Sequence, residues 1–238
     1  MSAALGLWIS RLGPGALESV LEAPEPPQWL GLDLQHGEIT WAQTPELIRL
    51  AELFDVPVLI RVEDHAAAGV GRALDQGARG VIVPAVESAQ EAQQIVAASR
   101  YAPLGRRSEG ARRPSRLSAR HALAGLDAPL VLAMIETGAG LENCTQILET
   151  DSLSGVFVGP VDLARSIGAD SSDAAPVRAA VTSVAQAAHA RGSVVGLFAV
   201  RPWPSGAMPD LDLIAAGTDT DLLRRGLAAS RAEWDGSA

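Results

Sequence analysis

The sequence contains no lysine, because all 19 basic residues of this 238-residue chain are arginine. This absence excludes reactions that need a lysine amine, including Schiff-base aldol chemistry, pyridoxal phosphate attachment and the phosphate-binding lysine of P-loop enzymes. The chain has one cysteine, Cys144, which excludes an internal disulfide and a thiolate metal cluster. Carbonyl chemistry, if the chain performs it, must therefore use a group other than lysine.

Positive charge and long apolar runs are also scarce. The net charge is 19 − 28 = −9, and this acidic balance argues against a nucleic-acid partner. No apolar run approaches the roughly 18 residues that a membrane span requires. Residues 1–10 lack the basic region and long apolar stretch of a secretory signal. These features predict a cytoplasmic protein with neither a membrane nor a nucleic-acid partner.

Length and composition predict a single globular domain. Hydrophobic residues make up 47% of the chain and charged residues 20%, which is typical of a folded globule. The length corresponds to about one and a half domains of average size. Because no linker-like segment or fixed-period repeat divides the sequence, we predict one domain over 1–238.

Short apolar runs alternate with segments of helical spacing, the pattern of repeated β-α units around a parallel sheet. The predicted strands are 5–9, 29–34, 58–62, 80–84, 130–135, 155–158, 194–198 and 211–215. The predicted helices are 45–54, 66–76, 88–99, 141–149 and 177–191, with Thr44 and Ser88 as N-caps. Eight strands favour a closed α/β barrel, the (β/α)8 or TIM barrel, over an open sheet.

Two segments interrupt this alternation. The stretch 106–125 carries six arginines together with one proline and two glycines, so it is too polar for a barrel strand and is predicted to be a long loop after the fourth strand. The stretch 200–209 contains three prolines and Gly206. It is too short and too interrupted for a crossover helix, so one outer helix is predicted to be missing or reduced to a turn there.

Two acidic residues follow neighbouring predicted strands at the end where barrel enzymes bind their ligands. Glu136 follows the fifth strand and Asp162 follows the sixth, and adjacent strands lie about 4.8 Å apart. Two carboxylates with open positions suit a hard divalent cation, Mg²⁺ or Mn²⁺, with Co²⁺ as a further candidate. The alternative is that each carboxylate caps a helix or pairs with an arginine.

A histidine and an arginine lie at the same end of the predicted barrel. His36 comes three residues after Asp33, whose carboxylate can orient the imidazole for general-base chemistry near neutral pH. Arg61 ends an apolar strand, where a charge needs an anionic partner. Its guanidinium can hold a substrate carboxylate through two hydrogen bonds. The alternative is a structural ion pair of Arg61 with Glu136 or Asp33.

Backbone groups add a weak anion site after the sixth strand, where a helix is predicted to open at Gly159, Pro160 and Val161. The other three histidines fall in helical or loop segments and are interpreted as surface or hydrogen-bonded residues. These are His65, His121 and His189.

Eight stretches carry a resemblance to a known family. They are Gly-Leu-Trp (6–8), Trp-Leu-Gly-Leu-Asp-Leu-Gln-His (29–36), Pro-Val-Leu-Ile-Arg (57–61), Leu-Asp-Gln-Gly-Ala-Arg-Gly-Val-Ile-Val-Pro (74–84), Arg-Tyr-Ala-Pro (100–103), Ile-Glu-Thr (135–137), Gly-Val-Phe-Val-Gly-Pro-Val-Asp-Leu (155–163) and Gly-Thr-Asp (217–219). In this order and spacing they resemble the HpcH/HpaI aldolases, a family of metal-dependent pyruvate aldolases. The stretches are distributed over most of the chain.

The resemblance implies a (β/α)8 barrel that forms an oligomer of identical chains. It also implies that Glu136 and Asp162 are the paired metal ligands, that His36 aided by Asp33 is the base, and that Arg61 holds the pyruvate end of the substrate. Asp75 matches a further polar position of the family, to which we assign no role.

The sequence also departs from the family pattern. Met134 stands where the family commonly has a glutamine, and Gln35 where it commonly has a glutamate. Arg107 is followed by Ser108 where the family commonly has an arginine followed by a glycine. These changes bear on substrate identity and efficiency, and they leave the predicted metal pair, base and arginine in place.

The sequence therefore predicts a class II aldolase. It would cleave a 4-hydroxy-2-oxo acid to an aldehyde and pyruvate, or a close 2-oxo acid, or form the hydroxy-oxo acid from them. A divalent cation replaces the absent lysine as the electron sink. One alternative is an acyl-CoA lyase like the citrate lyase β subunit or malyl-CoA lyase, because residues 135–138 also resemble those lyases. The Gly-Pro pair shortly before Asp162 and the presence of His36 favour the aldolase over this alternative. The other alternative, suggested by Met134, is a non-catalytic barrel that binds an oxo acid.

Overall fold

The chain forms a closed barrel of eight parallel strands in the order β1 to β8. The computed structural model describes residues 3–110, 129–199 and 208–236. The strands are β1 (Ala4–Ile9), β2 (Trp29–Asp33), β3 (Val58–Arg61), β4 (Gly80–Val83), β5 (Leu130–Ile135), β6 (Gly155–Val158), β7 (Val194–Phe198) and β8 (Leu213–Thr218). The predicted (β/α)8 barrel is confirmed.

Helices follow most of the strands. They are α1 (Pro14–Leu21), α2 (Thr44–Leu53), α3 (Ala67–Asp75), α4 (Ala89–Ser99), α5 (Gly138–Glu142), α6 (Cys144–Leu148), α7 (Pro160–Ser166), α8 (Ala175–His189) and α9 (Asp219–Trp234). Across the described ranges, none of them is both long enough and apolar enough for a membrane crossing. The predicted helix 141–149 is instead two short helices, α5 and α6, which meet at Asn143.

One of the two predicted N-caps is confirmed and the other is wrong. Ser88 caps α4 in a reciprocal capping box with Glu91. Thr44, however, lies inside α2, whose N-cap is Gln43. The Thr44 hydroxyl donates to the Trp41 carbonyl at 3.0 Å instead of accepting from the helix backbone.

Strand boundaries match the prediction closely except at β8. This strand begins at residue 213 instead of 211, because Leu213 is the residue that pairs with both Ala4 of β1 and Gly196 of β7. It ends at residue 218 instead of 215, because Thr218 pairs with Trp8 of β1. Within the predicted arginine-rich loop, the described part 106–110 contains no strand or helix, and 111–125 lies outside the described residues. Of the segment predicted to lack a full helix, 200–207 likewise lies outside them.

Aromatic rings fill much of the barrel interior. Trp8, Trp29 and Phe157 point inward and are buried. Their register partners on adjacent strands include glycines: Gly31 pairs with Trp8, and Gly196 pairs with Phe157. A Cβ atom would lie 2.6 Å from the Trp8 ring at Gly31 and 2.3 Å from the Phe157 ring at Gly196. The barrel is therefore a packed core, which leaves its mouth for chemistry.

The last helix has little contact with the barrel. Asp219 at its start is buried, and its carboxylate accepts the N–H groups of Ser10 and Arg11 at 3.0 and 2.7 Å, which ties α9 to the loop after β1. Farther along, Leu227 is 74% exposed and Trp234 is 91% exposed. This exposed apolar surface is unusual for a helix that ends a barrel.

Candidate active site

Side-chain alternation places three charged residues at the mouth of the barrel. Leu59 and Met134 point into the interior, and Arg61 and Glu136 lie two residues after them, so they share the inward direction. Asp33, at the end of β2, is the register partner of Arg61. Asp33, Arg61 and Glu136 are only 3%, 8% and 6% exposed. Charges buried to this extent need partners or a ligand.

A cavity of about 170 Å³ opens at this end of the barrel. Its walls contain every residue that the sequence singled out for catalysis, substrate binding or metal binding. The lining consists of Trp8, Asp33, His36, Arg61, Met134, Glu136, Gly159, Pro160, Val161, Asp162, Phe198 and Thr218. The structure thus brings the eight predicted residues together around one space.

Glu136 and Asp162 interact across this cavity. Burial raises the pKa of the Glu136 carboxyl. The N–H of Ala85 and the charge of Arg61 lower it in part, and the nearby Asp162 carboxylate raises it further. The Ala85 N–H donates to Glu136 Oε1 at 2.7 Å. Asp162 lies in the first turn of α7, half exposed, with its Oδ1 3.1 Å from an Arg165 nitrogen. A desolvated carboxylate beside a second carboxylate is an arrangement that a bound cation stabilises.

A glycine allows the chain between β6 and α7 to pass close to Glu136. A Cβ atom at Gly159 would lie 2.7 Å from Glu136 Oε2 and 2.7 Å from the terminal methyl of Met134. Gly159 is the N-cap of α7, so it also sets where that helix, with Asp162 in its first turn, begins. A larger residue at this position would force the Glu136 carboxylate and the Met134 methyl to shift.

Arg61 and Asp33 form a two-point ion pair. Arg61 Nε and Nη2 donate to the two oxygens of Asp33 at 3.0 and 2.7 Å. Burial alone would raise the pKa of Asp33, but the hydrogen bonds and charge of Arg61 outweigh it and hold that pKa below its usual range. The guanidinium also lies over the Trp8 ring, 5.2 Å from its centroid. Of the two ion-pair partners considered for Arg61, the structure shows Asp33.

His36 lies in the loop that follows Asp33 and lines the cavity. Asp33 Oδ1 accepts the backbone N–H groups of Gln35 and His36 at 3.1 and 3.2 Å, so the contact shown between Asp33 and His36 is through the main chain. The loop continues through Gly37, where a Cβ atom would lie 2.2 Å from the Asp33 carbonyl oxygen. This tight turn directs the His36 side chain toward the mouth of the barrel.

Sequence reasoning missed four residues of the site. Trp8, Phe198 and Thr218 line the cavity. The positions of Trp8 and Phe198 at or next to the carboxyl ends of predicted strands were a usable signal, whereas Thr218 lies three residues beyond the predicted eighth strand. Ala85 acts through its backbone N–H. Since every residue except proline has such a group, the sequence carries no signal for it.

These features define a (β/α)8 barrel whose mouth holds a buried arginine, paired with Asp33, beside Glu136 and Asp162. Residues 14–203 match the family model described as HpcH/HpaI aldolase/citrate lyase. The chain belongs to this family and is a carbon–carbon lyase of the aldolase type, as the resemblance implied.

Individual relatives agree with this assignment. The chain is 35% identical to the hydroxypyruvate/pyruvate aldolase of Rhizorhabdus wittichii over 199 residues, which cover 82% of this chain and 78% of that protein. It is 30% identical to the 2-keto-3-deoxy-L-rhamnonate aldolase of Salmonella gallinarum over 235 residues, with coverages of 94% and 85%. The crystal structure of an HpcH/HpaI aldolase/citrate lyase family protein from Burkholderia cenocepacia has a TM-score of 0.82 at 25% identity, with coverages of 98% and 95%.

Proposed function

We propose that the chain cleaves a 4-hydroxy-2-oxo acid to pyruvate, or a close 2-oxo acid, and an aldehyde, and catalyses the reverse addition. The observation that carries this proposal is the burial of the Glu136 carboxylate next to Asp162, in one cavity with Arg61 and His36. The relatives named hydroxypyruvate/pyruvate aldolase and 2-keto-3-deoxy-L-rhamnonate aldolase also support it, because their names describe aldol reactions of related oxo acids.

The two carboxylates suit a divalent cation, for which we propose Mg²⁺, Mn²⁺ or Co²⁺. Within 3–110, 129–199 and 208–236, no group of three or more His, Cys, Asp or Glu residues is arranged to hold a metal ion. Glu136 and Asp162, which line one cavity and interact there, would be its two protein ligands, leaving positions for oxygens of substrate and water. A cation bound there would supply a Lewis acid for the keto oxygen.

Arg61 would hold the carboxylate of the oxo acid. Its pairing with Asp33 uses Nε and Nη2, while Nη1 carries two further N–H donors. Asp33 and the Trp8 ring restrict the guanidinium to one orientation, which favours alignment of the bond to be broken. The segment Gly159, Pro160 and Val161 lines the same cavity and is proposed to contact the substrate as well.

His36 would act as the base. In cleavage it accepts the proton of the substrate 4-hydroxyl, directly or through water, as the C3–C4 bond breaks. The bonding electrons pass to the keto group to give the pyruvate enolate, and the aldehyde leaves. In the synthetic direction His36 helps to remove a proton from the pyruvate methyl group.

Proton exchange of pyruvate tests this proposal without knowledge of the aldehyde. With Mg²⁺ or Mn²⁺ in D₂O, the methyl signal of pyruvate in the proton NMR spectrum should decrease faster with enzyme than in buffer, and EDTA should abolish the difference. Pyruvate binding without exchange would indicate a non-catalytic barrel. Cleavage of acyl-CoA thioesters, with no action on free hydroxy-oxo acids, would indicate the acyl-CoA lyase alternative.

The exposed surface of α9 supports our further proposal that the chain forms a homo-oligomer. Leu223, Leu227 and Trp234 are mostly exposed and lie within about 40° of each other on one helix face at 100° per residue. An apolar stripe on an isolated helix is typical of an interface between copies. Sedimentation or light scattering should give a mass that is a multiple of 24.7 kDa, and the double substitution Leu223→Glu and Leu227→Glu should reduce it. A native mass of one chain would contradict the proposal.

A further inference from the structure

One peptide group connects the proposed metal ligand Glu136 to a histidine outside the cavity. The N–H of Ala85 donates to Glu136 Oε1 at 2.7 Å, and the carbonyl oxygen of Pro84 lies 2.6 Å from Nε2 of His65. Because a carbonyl oxygen only accepts, Nε2 carries the proton in this contact. The carbonyl and the N–H belong to the same peptide group and point in opposite directions, so the peptide lies between His65 and Glu136.

The backbone at this peptide is in an unfavourable conformation. Ala85 has a φ of +48°, in the left-handed region that residues other than glycine seldom adopt. Neighbouring contacts must therefore hold it, and the structure shows the Glu136 carboxylate on its N–H and His65 on the preceding carbonyl. The next residue, Val86, is held through its own N–H by the Met134 carbonyl at 3.2 Å.

His65 is itself held in place and lies away from the reacting groups. It is partly buried in the loop after β3, where the Asp64 carboxylate accepts the N–H of Ala66 at 2.7 Å. It lines a groove on the other side of the Pro84 and Ala85 backbone and does not line the cavity that holds Glu136. A role for His65 in the reaction must therefore be exerted through the peptide.

We propose that His65 is a positioning residue for Glu136, an inference that rests on the proposed function. Its hydrogen bond to the Pro84 carbonyl fixes the peptide so that the Ala85 N–H is aimed at Oε1, which leaves Oε2 on the side of Gly159 and the cavity. A donor on the carbonyl also polarises the peptide and strengthens its N–H as a donor. Both effects restrict the carboxylate to the orientation in which it can bind a cation.

Substitutions at His65 that differ in hydrogen bonding test this role. His65→Leu removes the donor, whereas His65→Gln retains an amide N–H at a similar reach. Mn²⁺ binding without substrate, followed by the electron paramagnetic resonance signal of free Mn²⁺, should weaken about tenfold in His65→Leu and change less than about threefold in His65→Gln. His189→Leu is the matched control, because His189 bonds to Asp212 on another part of the barrel, and its Mn²⁺ affinity should equal that of the native chain.

A crystal structure of metal-free His65→Leu separates this inference from the proposed function. The distance from Ala85 N to Glu136 Oε1 should increase beyond hydrogen-bonding range, whether or not the native chain binds Mn²⁺. The role of His65 would be overturned by an unchanged distance, by native Mn²⁺ affinity in His65→Leu, or by a folded His65→Gln that binds Mn²⁺ as weakly as His65→Leu. Failure of the native chain to bind any divalent cation would overturn the metal site instead. If His65→Leu does not fold, His65→Asn, whose amide is too short to reach the Pro84 carbonyl, takes its place with the same expected results.

Discussion

Glu136→Gln should reduce the metal-dependent exchange of pyruvate protons by at least about 100-fold. Loss of a residue that only supports a metal ligand typically costs about 10- to 100-fold, and loss of a ligand itself should cost at least as much as the top of that range. The substitution removes one of the two negative charges proposed to bind the cation. The amide oxygen of glutamine can still accept the N–H of Ala85, so the local backbone should be preserved. The initial rate of methyl proton loss from pyruvate, measured at saturating Mn²⁺, gives the effect directly.

The same variant should be at least as stable as the native chain when no metal is present. Burial raises the pKa of Glu136, so the folded state favours the protonated form, and the ionised form lowers stability once the pH exceeds that pKa. Replacing the carboxylate by a neutral amide removes this cost at pH 7. A melting temperature in EDTA equal to or above that of the native chain would therefore accompany the loss of activity.

Two further variants complete this experiment. Asp162→Asn should lose exchange activity to a similar extent, because the cation needs both carboxylates. Glu142→Gln makes the same chemical change at an exposed position of α5 and should leave activity unchanged. Near-native exchange in Glu136→Gln or Asp162→Asn would rule out the assignment of that residue as a ligand.

Arg61→Lys should lower kcat/KM for the 2-oxo acid by about 10- to 100-fold, mainly through a higher KM. This fold-change corresponds to a loss of about 1.4 to 2.7 kcal/mol of transition-state stabilisation. Lysine keeps the positive charge but cannot bind both oxygens of Asp33 and also present a planar edge to a substrate carboxylate. Pyruvate saturation curves for the exchange reaction measure the change.

A neutral pair separates substrate binding from the structural ion pair. Arg61→Met alone would leave the Asp33 carboxylate buried without its partner, at a cost of about 3 to 5 kcal/mol. The double substitution Asp33→Asn and Arg61→Met removes both charges and should fold with a smaller loss, measured by urea unfolding. If this double variant binds pyruvate as tightly as the native chain, then Arg61 serves only as the partner of Asp33 and not as a substrate ligand.

Most strands of the barrel could be predicted because parallel strands are buried on both faces and read as short apolar runs. The boundaries of β5, β6 and β7 agree with the prediction at both ends. Two helices were missed for identifiable reasons. Helix α1 begins with Pro14 and Gly15, which favour a turn. In α9 only Asp219 is buried, and its apolar residues form an exposed stripe instead of the core-facing pattern on which the other helices were predicted.

The charged residues of the candidate site could also be predicted. Asp33, Arg61 and Glu136 could be identified from sequence because a charge at the end of an apolar strand is unusual and strand alternation predicts its direction.

The N-cap role of Thr44, by contrast, could not be judged from residue type and position. Its hydroxyl has a carbonyl partner in the preceding turn, and competing local hydrogen bonds of this kind are common for threonine.

The amino-acid sequence by itself determined that no lysine amine takes part in the reaction, that eight strands form a parallel barrel, and that charged residues gather at the carboxyl ends of its strands. Only the tertiary structure decided that Arg61 pairs with Asp33, that the Ala85 N–H binds Glu136, and that His65 contacts the Pro84 carbonyl. The physical reason is that these contacts join residues distant in sequence, and two of the three use backbone groups that every non-proline residue shares. They exist only once the barrel closes and brings neighbouring loops to hydrogen-bonding distance.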